Sequence, residues 1–99
     1  METTPAFSAA VVEHLKQDNY FDWSVRVKTY LMAHDLWDSV ESTNDPPTPE
    51  NEAAFKDWSR TNAKALHVIQ FSCGPFKFSD IREITSARIA WETLAESSR

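Results

Sequence analysis

Glycine is nearly absent. Gly74 is the single one in ninety-nine residues. Two-residue β-hairpins draw on glycine for backbone angles that other residues resist, so this chain is poorly supplied for a meander of strands. Cysteine is as scarce. Cys73 stands alone, which excludes an intramolecular disulfide and a cysteine-rich metal site and is compatible with a reducing compartment. No apolar run approaches the roughly 20 residues of a membrane-spanning helix. The opening residues, Met1 to Pro5, lack the positive and apolar regions of a signal peptide. A cytoplasmic location without membrane contact is therefore expected. Basic residues are outnumbered, ten against fifteen acidic, for a net charge of -5. Arg26, Lys28, Arg60, Lys64, Arg82 and Arg88 are scattered. Direct nucleic-acid binding needs clustered cations, so it is not expected. No glycine-rich phosphate loop, nucleophile elbow or paired-histidine motif occurs.

What the chain does have is aromatic side chains in order. Tyr20, Phe21 and Trp23 come first, then Tyr30, Trp37 and Trp58, and finally Trp91. Ninety-nine residues make at most one domain, whose small core hides somewhat more than ~60% of the unfolded surface. Large aromatics help fill it, each burying roughly 150–250 Å². These residues describe a packing scaffold and supply no reactive group.

The spacing predicts helices. Residues 1–14 read as a tail or short element. Asn19 is a good N-cap with Asp22 three residues on. Tyr20, Trp23, Val27, Tyr30, Leu31 and His34 then recur at threes and fours and share a face. Asp35 is a second N-cap candidate, ahead of a short helix holding Leu36, Trp37 and Val40. Residues 42–49 are a proline-rich linker. Thr48 with Pro49, Glu50 and Glu52 signals the start of a third helix running to about Ser72. Trp58, Ala65 and Ile69 form its seam, flanked by Phe55, Leu66 and Cys73. Gly74-Pro75 ends it. Ser79 caps a short helix through Ile81 and Ile84. Ser86 caps the last, with Ile89 or Ala90, Trp91 and Leu94 inward. The expectation is an all-α compact bundle of about five helices.

Candidate chemistry is thin. His14, His34 and His67 share no metal-ligand spacing and read as surface or helix-end histidines. His67 and Cys73 lie six residues apart, about 600° around a helix, so they point apart. Cys73 then reads as a small buried hydrophobe. Asp35, Asp38 and Glu41 form an acidic run that reads as helix capping and a solvated face. No catalytic residue, metal or cofactor is expected.

The order of anchors also carries a resemblance. Leu15-Lys16-Gln17-Asp18-Asn19-Tyr20-Phe21-Asp22-Trp23 resembles the entry of the Gag domain of copia-type LTR retrotransposons. The likeness continues through Val27 to Leu31, Leu36 to Glu41, Trp58 and Ala63 to Ile69. It closes with Ser86-Ala87-Arg88-Ile89-Ala90-Trp91-Glu92-Thr93-Leu94. Gln17 departs from the family's usual glycine. Ile89 departs from its frequent glutamate, which removes half of a capping box. The wording is similar to a Gag-like segment of plant proteins, some of which carry ankyrin repeats and a PGG domain.

The resemblance implies a capsid N-terminal-domain-like fold over residues 15–96. Its implied family core is Tyr20, Trp23, Leu31, Leu36, Trp37, Trp58, Ile69, Trp91 and Leu94. It also implies a non-enzymatic role in protein–protein association, with itself as partner in a particle, or as a domesticated derivative. The alternative is a monomeric recognition or adaptor module at the front of a larger plant protein. Phe7, Phe21, Phe71, Phe76 and Phe78 lie off the clearest seams. Phe76 and Phe78 are the candidate contact surface.

Overall fold

Trp23, Val27 and Leu31 recur every four residues, and that register makes the first helix, α1 (Tyr20–Ala33). All three are buried, with Val27 and Leu31 fully inside. The computed structural model describes residues 13–98. The expected tail over residues 1–14 and Phe7 therefore fall largely or wholly outside the described residues.

Asn19 precedes α1, but its side chain does not cap it. Its amide folds back instead. Oδ1 accepts from the Lys16 backbone N–H at 2.6 Å, and Nδ2 donates to the His14 carbonyl at 3.0 Å. The Asn19 backbone carbonyl still accepts the first helical bond, from Trp23 at 2.9 Å.

α1 ends where Asp35 adopts φ 59. The Leu36 N–H reaches back to the Leu31 carbonyl at 2.8 Å, and the Asp35 N–H to Met32 at 3.2 Å. This pair of bonds is a Schellman motif, and the buried Leu36–Leu31 positions supply its apolar contact. Asp35 therefore closes α1 rather than capping the next helix. α2 (Trp37–Glu41) comes next, with Leu36 at its N-cap.

The proline-rich linker leads to α3 (Glu52–Ile81), which starts three residues later than Thr48-Pro49 suggested. The Asn51 N–H donates to the Thr48 carbonyl at 3.0 Å, making a turn with Pro49 at its favoured second position. Its own backbone amide and the Thr48 hydroxyl hold the Glu50 carboxyl below the ordinary range. Asn51 is the cap, accepting from the Ala54 N–H at 3.4 Å.

Gly74 does not end α3. It kinks it, at φ 84 and ψ 163, a region open essentially to glycine. Pro75 forces the preceding residue out of helical ψ, yet its own φ suits a first helical turn. The helix restarts at once. Ser79 therefore lies inside it, its hydroxyl bonded to the Phe76 carbonyl, and caps nothing. Two expected helices become one bent helix, and the described residues hold four helices rather than five.

α4 (Ala87–Ser97) is capped by Ser86, whose hydroxyl accepts from the Ile89 N–H at 3.2 Å. Ala87, Ala90 and Leu94 are fully buried, while Ile89 faces outward. α4 lies along α3, α2 bridges the two, and α1 packs on α2 and α3. No strand occurs among the described residues, so the all-α class stands.

Candidate functional site

An aromatic stack joins three of the four helices. The Trp23 ring of α1 stacks on Trp91 of α4 at 5.5 Å between centroids, and Trp37 of α2 meets Trp91 edge-on at 5.5 Å. Tyr20 leans on Trp23 at 6.1 Å. Offset and edge-to-face pairs are the favoured aromatic geometries, worth about 0.5–1.5 kcal/mol each beyond area burial. Lys28 places its ammonium 5.0 Å from the Trp37 ring, a cation–π contact on the outer side of the stack.

The kink in α3 completes this arrangement. The last four carbonyls before a helix break lack their usual donors. The Ser72 carbonyl is one of these, and Trp23 Nε1 donates to its oxygen at 3.1 Å. The bend that Gly74 makes is thus read by the indole that anchors α1.

The nine residues of the family core fall into two groups. Trp23, Leu31, Leu36, Ile69 and Leu94 are buried. Tyr20, Trp37, Trp58 and Trp91 are half-buried. Trp58 stands apart from the stack, tilted against Phe55 at 6.0 Å. Its seam position on α3 is continued by Asn62, Ala65, Ile69 and Cys73.

Phe76 and Phe78 are separated by the restarted helix. Two residues apart is about 200° of rotation. Phe78 packs against the core, and Phe76 is 82% exposed. Phe21 is 76% exposed, and Phe71 is about half exposed.

Two buried polar groups went unpredicted. Asn62 donates to the Thr85 carbonyl and accepts from the Ala87 N–H, both at 2.8 Å. It thereby fastens α3 to the start of α4. Lys77 sends its ammonium to the Ser97 carbonyl at 3.2 Å and hydroxyl at 3.3 Å. A cation there complements the negative end of α4. Both residues occupy the apolar register of α3, Asn62 four after Trp58 and Lys77 four after Cys73. A polar residue in an apolar register was the available signal.

The potentially reactive groups do not converge. His67 stacks on Phe71 at 6.0 Å, and His34 sits tilted against Tyr30 at 4.2 Å. Cys73 is 1% exposed within the core cluster, and its thiol lies 3.5 Å from the Gln70 carbonyl and 3.6 Å from the Gly74 carbonyl. Burial pushes its pKa up to about 11, so it stays a thiol near neutrality. No group of His, Cys, Asp and Glu able to hold a metal occurs among the described residues. Among those residues, no helix is long and apolar enough to cross a membrane.

Against known families, the model of the gag-polypeptide of LTR copia-type matches residues 27–97. The chain belongs to this family. The matched span of the Gag domain takes in the stack partners Trp37 and Trp91, the kink and the whole of α4. Tyr20 and Trp23 precede it. No curated protein and no solved structure matches the chain.

Proposed function

We propose that this copia-type Gag domain is a non-enzymatic protein–protein association module whose principal partner is a second copy of itself, as in a retrotransposon particle. The family match over residues 27–97 carries this reading. The exposed phenylalanines support it. Phe76 and Phe21 leave most of their rings to solvent while the core is filled by other aromatics. Exposed aromatics at that level favour contact with another protein surface. The protonated, enclosed Cys73 supports the non-enzymatic part.

The test is mass by light scattering after size exclusion, across about a hundredfold concentration range. Growth from the 11.3 kDa monomer to dimers and larger species is the expected result. A mass fixed at the monomer throughout would overturn self-association by this domain.

A further inference from the structure

A groove of about 600 Å³ opens between the linker, α2, the first half of α3 and the start of α4. That size is in the range of ligand-binding clefts. Its walls carry Asp38, Asp45, Asp57 and Trp58, with Arg88 and Ile89 at the α4 side. The charge is one-sided. Arg88 is committed to Glu92 at 3.1 Å. Asp57 has only a long, exposed pair with Arg60 at 3.5 Å. Asp38 and Asp45 have no ion-pair partner among the described residues.

Trp58 adds a second kind of recognition. Its ring is half-buried, and its indole N–H has no hydrogen-bond partner among the described residues. An indole face attracts guanidinium and ammonium groups. An indole N–H donates to a carbonyl. Carboxylates, a π face and a lone donor together match a polypeptide that carries cationic side chains and offers backbone carbonyls. Ile89, half exposed at the edge, adds an apolar contact for its stem atoms. The same negative charge repels nucleic acid.

We infer that this groove binds an extended basic segment of a partner polypeptide, with an arginine or lysine side chain over Trp58 and flanking cations on Asp38 and Asp45. This site is separate from the phenylalanine surface used for self-association. Its success or failure is independent of the oligomeric state.

The test titrates the full chain with a capped hexapeptide alternating arginine and serine, followed by amide and indole resonances. The Trp58 indole signal is expected to move, along with amides of residues 38–46. Asp38→Asn/Asp45→Asn should weaken binding about tenfold, as two exposed ion pairs would. Both positions are on the surface, so unchanged thermal melting certifies the fold of that variant. An alternating glutamate and serine peptide should not bind. Absence of binding at about 1 mM peptide, binding that leaves the Trp58 signal still, or binding undiminished in the double variant would each overturn the inference.

Discussion

Asn62 joins two elements with one amide. Its carbonyl oxygen takes the Ala87 N–H at the start of α4, and its NH₂ serves the Thr85 carbonyl just before it. Truncation leaves a buried donor and an acceptor without partners. Each such loss costs about 1–3 kcal/mol. We expect Asn62→Ala to lose roughly 2–4 kcal/mol in urea unfolding, with α4 amides exchanging faster. A loss below about 0.5 kcal/mol, the level of a neutral surface change, would show that water replaces the amide at no cost. Cys73 gives a pH prediction at the same scale. Its folded pKa, about 11, exceeds the ordinary 9.0. Below the unfolded pKa both states hold the proton, and the thiol leaves stability untouched. As pH rises from about 9 to about 11, the unfolded chain ionises first and stability falls. Two pH units correspond to about 2–3 kcal/mol. Cys73→Ala should flatten that part of the stability–pH curve, and an equally steep decline in the variant would assign it elsewhere.

At the level of elements, two residues hold left-handed backbone, and they differ in how well the residue suits the position. Gly74 suits it. A Cβ there would also sit 2.8 Å from the His14 ring. Gly74→Ala should therefore cost about 2–3 kcal/mol or more, from backbone strain together with the clash on His14, whose backbone is held by the buried Leu15 next to it and by the Asn19 bond to its carbonyl. A melting temperature equal to the parent's would mean that the kink is dispensable. Asp35 suits its position less well. It fills the place where a Schellman motif usually has glycine. Asp35→Gly should raise stability by about 0.5–1 kcal/mol, and Asp35→Val should lower it by about 1–2 kcal/mol. Equal effects from both would show that the turn is not set by φ. These positions also mark how far the sequence could be read. The α1 seam was legible because Trp23, Val27 and Leu31 repeat every four residues. The start of α4 was legible because Ser86 is an unambiguous cap. Gly74-Pro75 was not, because the same pair that stops a helix also opens one. Glycine permits the break, and proline prefers the first turn of the helical segment after it. Asn51 was hidden behind Thr48-Pro49, a second valid start signal three residues upstream. At the site, the tryptophans were visible as types. Trp23, Trp37 and Trp91 come from three separate elements, however, and their meeting depends on a bend that local spacing does not encode.

For the whole molecule, charge and apolar surface oppose each other. Every copy carries a net charge of -5. Two copies brought together repel, and the repulsion reaches about 10 Å at 0.1 M salt and about 3 Å at 1 M. The phenylalanine contacts proposed for self-association are apolar and gain nothing from low salt. Association should therefore tighten as sodium chloride rises from about 0.05 to 0.5 M, visible as a higher mass at fixed protein concentration. Phe21→Ser/Phe76→Ser should abolish that growth and leave unfolding within about 0.5 kcal/mol, because both rings are already in solvent. Phe78→Ser should instead destabilise the monomer, since that ring packs on the core. The basic-peptide groove predicts the opposite salt response, because its attraction is between unlike charges and weakens on screening. The two surfaces are therefore separable in one salt series. Mass that falls with salt would mean that copies are held by ion pairs, and the exposed phenylalanines would then lose their assigned part in assembly.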